Sequence, residues 1–449
     1  MLWIEHAAAF PAASVSPRHA GYSAPRTVSS RPPRPTGPAA FPRRQARVNT
    51  GVETEKQEQE AVPYPFTGGQ GLELSAEYAK LFEDGDPIRV QLPYGEPAWL
   101  VTRYTDARFV LTDRRFSRAE VTRRDEPRMT PRPVPESILT MDPPEHTRLR
   151  TLVSKAFTAR RIEAMRPWIA ELATELVAGM KAAGAPAELV GSYALAMPIT
   201  VICELLGVPA EDRAQLRAWC DAALSTNELT DEECAQSFVN LQKYFEDLIR
   251  QRREEPRDDL TSALIEARDA QDRLAEPELL GLCISILIGG FETTASQIPN
   301  FVHVLQQRRE LWSRLCADPE LIPGAIEELL RYVPFTANGV SPRYPLEDMT
   351  VGGVLVRAGE PVVVDTSAAN RDGSVFEDPE GVDLDRTDNR HMAFGHGPHH
   401  CLGAHLARVE LQEALKALVL GMPDLRIHGA VEWKPHMTVR GPRTLHITW

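Results

Sequence analysis

A chain of 449 residues with 43% hydrophobic content is long enough to bury a sizeable core, as one large body or two ordinary domains. A net charge of −13 argues against nucleic acid as a partner. Six cysteines (Cys203, Cys220, Cys234, Cys283, Cys316, Cys401) without paired spacing exclude a disulfide framework, and the compartment reads as cytoplasmic.

The charge is uneven. Residues 1 to 50 hold seven arginines against Glu5 alone, +6, which leaves −19 for the rest. The stretch "SSRPPRPTGPAAFPRRQAR" has no apolar periodicity, so residues 1–60 are expected to be a disordered tail and residues 61–449 the folded domain. Glu5 and Pro11 spoil a secretory leader. The Arg-rich composition fits a transit peptide better, and a natural start near Val48 or Val52 fits best, because the globular pattern opens at "VPYPF" (62–66).

Beyond residue 70 the periodicity is mostly helical, as in "RRIEAMRPWIAELATELVAGMKAAG" and "EELLRYV", with strand-like pieces "AWLVTR" and "EPVVVDT". The fold class is therefore mainly α with small β-sheets in a single domain, and the Pro-rich 127–137 stretch is an irregular loop within it. In "MDPPEHTRLR" (141–150) Asp142 is placed to cap a helix, with Pro143 in its first turn and Glu145 reaching back. His146 and Arg150 then share one face at i,i+4 spacing; two cations so placed are ordinarily a solvated surface.

The longest apolar run, "LLGLCISILIGGF" (279–291), has 13 residues, short of the roughly 20 a bilayer requires, so no segment is expected to span a membrane. It leads into Gly289, Gly290, Glu292, Thr293 and Thr294 at mid-helix. Each glycine costs about 1 kcal/mol relative to alanine there. A helix carrying two of them, a carboxylate and two hydroxyls at its apolar centre gives up stability for something other than packing, and Pro299 should distort it further. Small residues at that point would let a flat ligand lie against the backbone.

The run "FGHGPHHCLGAHLARVE" (394–410) sets one thiol, Cys401, among histidines and glycines. Three roles compete. A zinc site has His391, His396, His399, His400 and His405 nearby but no second cysteine pair. A nucleophile would need a base and an orienting residue from elsewhere. A haem thiolate is favoured by the glycines, which allow a tight loop, and by the helical period that starts just afterwards, whose N-terminus stabilises the anion.

These stretches resemble the bacterial cytochromes P450, the haem-thiolate monooxygenases, in four signatures that occur in the family's order from about Val62 to Trp449. Phe394-x-x-Gly397-x-x-x-Cys401-x-Gly403 resembles the haem-binding loop and implies Cys401 as the metal ligand. Gly290-x-Glu292-Thr293 looks like the catalytic acid–alcohol pair that delivers protons during oxygen activation. Glu328-Leu-Leu-Arg331 with Arg386 resembles a buried structural triad. The resemblance also implies that His146, Arg150, Arg343 and His399 bind the propionates of haem b (iron protoporphyrin IX), leaving the other four histidines without a ligand role.

The resemblance further implies O2 as co-substrate and electrons from NAD(P)H through a ferredoxin and its reductase, docking on the face near Cys401 where arginines such as Arg408 meet an acidic partner. It implies no membrane partner and a monomer. The look is closest to actinomycete members that tailor polyketides and macrolides, so hydroxylation or epoxidation of a largely apolar secondary metabolite, as in antibiotic biosynthesis, is the expected reaction. Its pocket would draw on 117–140, 222–245, Ile286, Gly290, 336–338, Met437 and Thr438. Oxidative coupling or desaturation by the same haem, and a non-catalytic partner protein of the same fold, are the alternatives.

Overall fold

The structure, a computed structural model, describes residues 60–66, 71–155, 157–224, 229–269, 274–335, 341–434 and 439–449. The expected tail through residue 59 and the expected pocket positions 336–338, Met437 and Thr438 lie outside the described residues.

Short apolar runs make the main sheet, which takes β1 (Val62–Pro63), β2 (Ile88–Gln91), β3 (Ala98–Val101) and β4 (Val362–Val364) in that order. β2 and β3 are antiparallel, whereas β3 and β4 run parallel with Trp99 opposite Val362 and Val101 opposite Val364. All three valines of β4 are buried, as a parallel strand covered on both faces requires. A smaller hairpin joins β5 (Glu432–Trp433) to β6 (Pro442–Thr444).

Eight helices build the rest of the site's frame. α1 (Glu145–Ser154) follows Pro144 and has no side-chain cap. The expected cap, Asp142, is turned away: its carboxylate accepts from the Ser117 hydroxyl, from the Arg118 N–H at 2.8 Å and from the Ala119 N–H at 3.3 Å. α2 (Ala159–Ala183) opens on Thr158, whose hydroxyl accepts from the Arg161 N–H. α3 (Ala196–Leu206) and α4 (Arg213–Leu224) precede α5 (Asp231–Glu254), which starts with a reciprocal Thr230–Glu233 capping box.

α6 (Glu276–Gln307) has Glu276 and Glu278 in its first turn, where the helix dipole favours acids, and it continues through Pro299. It is, among the described residues, the one helix long and apolar enough to cross a bilayer, a property the 13-residue run did not reveal. Its burial explains the composition: Phe291, Phe301 and Val302 are in the core, and α3 and α8 (Ala404–Gly421) pack on it. α8 lies along α2, and α7 (Ile322–Tyr332) packs on α8.

Glu328 of α7 is fully buried and accepts two bonds from Arg331, at 2.8 and 2.9 Å, and one from Arg386 at 3.0 Å. The Asp383 N–H and the Asn389 amide complete its shell at 2.9 and 3.1 Å. Arg331 in turn donates to the carbonyls of Asn370, Pro379 and Gly381. A buried carboxylate so fully bonded is costly to remove, because two arginines would be left without their counter-charge. Glu328→Ala should therefore lose about 3–5 kcal/mol in chemical unfolding. Glu120→Ala, which breaks only exposed pairs to Arg123 and Arg124, should lose no more than about 1 kcal/mol.

Candidate active site

α6 and the segment that leads into α8 enclose a cavity of about 370 Å³ with a mainly apolar wall. α6 contributes Ser285, Ile286, Gly289, Gly290, Thr293 and Gln297; Phe394, Cys401, Gly403 and Leu406 face them. Ile138 and Leu139 line it from the expected 117–140 stretch, and Ile286 and Gly290 do as expected. No described residue of 222–245 lies on this wall, and 225–228 of that stretch lie outside the described residues.

The loop before α8 is held by its own backbone. The N–H of Gly395 donates to the Met392 carbonyl, that of His400 to Gly397, and that of Cys401 to Phe394 at 2.9 Å. Gly397 has φ +72°, and a Cβ there would sit 2.2 Å from the Leu111 carbonyl oxygen, so only glycine fits. Cys401 is exposed, yet it lies deep in the fold; the surface it shows is the cavity wall. Burial pushes its thiol up, against the pull of the Gly403 N–H, Arg150 and Arg408. The Gly403 N–H, just before α8, acts in the direction the sequence suggested, and burial opposes it. A metal cation at this sulfur would add to the first effect, since metal coordination deprotonates a thiol.

One end of the cavity is cationic. The rings of His146 and His399 lie 4.1 Å apart, and both residues line the cavity with Arg150. Arg150 donates to the His400 carbonyl. Behind them Arg343, 4% exposed, donates to Ser341. Arg118, 5% exposed, donates to the carbonyls of Leu139 and Pro342. No ion pair to a carboxylate is found for Arg118, Arg150 or Arg343 among the described residues. Burial, and then Arg118, push the Arg343 pKa well down, and burial followed by Arg343 and His146 pushes His399 to about 3. Asp142 is the acid that acts on both Arg118 and Arg343, and it is itself bonded to Ser117 and to the Arg118 and Ala119 N–H groups, so this desolvated cluster has room for a further anion. Two carboxylates at the edge of a flat, apolar ring, over an accessible sulfur, fit this wall.

The two mid-helix glycines have different reasons. A Cβ at Gly289 would meet nothing within 4 Å, which leaves that face of α6 open to the cavity. One at Gly290 would lie 2.7 Å from Ile202 Cδ1, so its smallness serves the packing of α3 on α6. Thr293 lines the cavity and donates to the Gly289 carbonyl at 2.7 Å. Glu292 does not line it. Its Oε1 accepts from Lys434 Nζ and, at 3.0 Å, from the Ser296 hydroxyl, and it is 3% exposed.

Three polar residues at this site escaped the sequence reading. Arg118 and Lys434 come from distant segments, and nothing local marks them. Glu410 was detectable: it falls four residues after Leu406 on the apolar face of α8. It is 1% exposed, lines the cavity, has no partner for Oε2, and burial holds its carboxyl well above the usual range. Of the remaining histidines, His391 bonds Glu327 at 3.0 Å, and His405 Nε2 lies 3.0 Å from a Glu163 carboxylate oxygen.

The cytochrome P450 family model matches residues 223–421. The mycinamicin IV hydroxylase/epoxidase of Micromonospora griseorubida is 51% identical over 86% of this chain and 98% of its own length. The nocardicin C N-oxygenase of Nocardia uniformis subsp. tsuyamanensis is 48% identical over the same shares. Among solved structures, the LnmZ cytochrome P450 hydroxylase from the leinamycin biosynthetic pathway of Streptomyces atroolivaceus S-140 aligns with a TM-score of 0.77 at 78% identity, covering 82% of this chain and 98% of that one. Relatives this similar over nearly their whole length mean that the chain belongs to the cytochrome P450 family, as a monooxygenase whose cofactor is haem b.

Proposed function

We propose that this P450 inserts one oxygen atom of O2, by hydroxylation or epoxidation, into a largely apolar polyketide- or macrolide-type metabolite in the cytoplasm. Electrons would come from NAD(P)H through a ferredoxin and its reductase. The observation that carries this reading is the mainly apolar cavity with a thiol on one wall and a hydroxyl on the other. The relatives named above, a macrolide hydroxylase/epoxidase and a leinamycin-pathway hydroxylase, support the reaction and the substrate class.

Haem, when bound, supplies the oxygen-activating redox chemistry; the chain's part is to hold it and to manage protons. Cys401 would ligate the iron. His146, Arg150, Arg343 and His399, joined by Arg118, would hold the propionates through charge-assisted hydrogen bonds. Thr293 has its hydroxyl on the distal wall, and in the resting fold that proton is given to the Gly289 carbonyl. Glu292, as relay acid, is one residue away, with its Oε1 held by Lys434 and Ser296. Arg408 is not free to meet an acidic partner as the sequence suggested, because Glu327 already binds it twice, at 2.7 and 2.8 Å.

Cys401→Ala should abolish both the thiolate carbon monoxide spectrum and product formation. Thr293→Ala should lower product per NAD(P)H consumed, with reducing equivalents diverted to peroxide; unchanged coupling would sink the relay role. Arg343→Leu should speed haem transfer to a scavenger globin roughly tenfold or more, the cost of a lost charge-assisted bond of about 1.5–3 kcal/mol. With labelled dioxygen, the metabolite should gain one labelled atom by mass spectrometry, whereas none would mean coupling or desaturation.

A further inference from the structure

α7 carries two adjacent acids, and consecutive helical side chains point in different directions. Glu328 enters the core. Glu327 turns toward the cysteine loop, where Arg408 Nε reaches its Oε1 at 2.7 Å and Arg408 Nη2 and His391 Nε2 reach its Oε2 at 2.8 and 3.0 Å. His391 Nδ1 accepts from the Ala393 N–H, which leaves Nε2 as the donor to Glu327. One carboxylate therefore grips the chain ten residues before Cys401 and again seven residues after it.

The grip extends to the sulfur. The Arg408 guanidinium lies 4.6 Å from the centre of the Phe394 ring, and the Phe394 carbonyl accepts from the Cys401 N–H. Arg408 is also close enough to Cys401 to pull its thiol down against burial. Burial alone would raise Glu327, but its bonds from His391 and Arg408 outweigh that and hold the carboxyl at about 2, so it is ionised at any working pH. The sulfur thus sees a near positive charge with a negative charge behind it.

We propose that Glu327 is a positioning and charge-balancing residue of the cysteine loop, which sets, by neutralising Arg408, the positive field at the Cys401 sulfur and so the reduction potential of the bound haem. This rests on the reading that Cys401 ligates the iron. Reduction adds one negative charge at that centre. An Arg408 without its counter-ion favours the reduced form, and a Glu327 without Arg408 opposes it.

The test is a spectroelectrochemical titration of the haem-loaded protein, with a carbon monoxide spectrum of each form. Glu327→Gln should raise the potential, and Arg408→Gln should lower it. At a fixed poise the reduced-to-oxidised ratio should rise several-fold in the first and fall several-fold in the second, tenfold corresponding to 59 mV for one electron. The double variant should return toward the parent. A purely structural clamp is broken equally by either change, so shifts of the same sign, or none, would overturn the proposal. If Glu327→Gln does not retain haem, Glu327→Asp, which keeps the charge, should hold the parent potential while Arg408→Gln lowers it; equal values for those two would overturn it as well. A thiolate spectrum absent from the parent protein would instead mean that the ligand assignment has failed.

Discussion

Everything in this site depends on fixing one thiol at the edge of an apolar cavity, on an irregular loop that no sheet ladder holds. The solution is a pair of carboxylates on α7. Glu328, with Arg331 and Arg386, fixes the irregular chain from Asn370 to Asn389 by bonding its carbonyls and amides from within the core. Glu327 then fastens the loop itself at His391 and at Arg408. The buried network is stable because each charge has its partners, and its purpose is placement: irregular backbone at the heart of the fold has no ladder or helix to hold it.

The cationic end of the cavity follows the opposite rule. Arg118, Arg150 and Arg343 are desolvated with no direct ion pair to a carboxylate among the described residues, Asp142 acting on Arg118 and Arg343 only through space, an arrangement that an arriving anion would stabilise. Neutral His146 and His399 line the same end, both depressed by burial. The protein thus carries satisfied charges where it needs rigidity and unsatisfied ones where it binds. The contrast between the Glu328 shell and the Arg343 surroundings separates scaffold from site without reference to any relative.

Much of this was legible in the sequence because it is local. The helical period around Glu328 and Arg331 put both charges on one face, the apolar runs gave β3 and β4, and the Gly-Gly-x-Glu-Thr-Thr set marked α6 as a functional helix. What failed depended on tertiary partners. Asp142 has every local feature of a helix cap, yet Ser117, Arg118 and Ala119 offer it three donors from another segment and win. Gly290 lines the cavity as read, but the close approach of Ile202 from α3 could not be read from the sequence. Lys434 lies 142 residues from Glu292, and no spacing rule reaches that far. The 13-residue apolar run understated α6, because Glu292 and Gln297 are buried polar residues inside a helix that is apolar throughout.

The acid and the alcohol of α6 illustrate how one helix serves two compartments. Thr293 lies on the cavity wall, but Glu292, one position earlier, is rotated by about 100° and falls on the side that faces Lys434 and Ser296. Neighbouring residues of α6 do share the cavity wall, as Ser285 with Ile286 and Gly289 with Gly290 do, so what keeps Glu292 off it is its bonding to Lys434 and Ser296. The Lys434 ion pair holds the buried carboxylate away from the cavity. Under the roles proposed for Glu292 and Thr293, a proton would pass along α6 from the pocket that Lys434 closes, next to the β5–β6 hairpin, to the hydroxyl on the cavity wall.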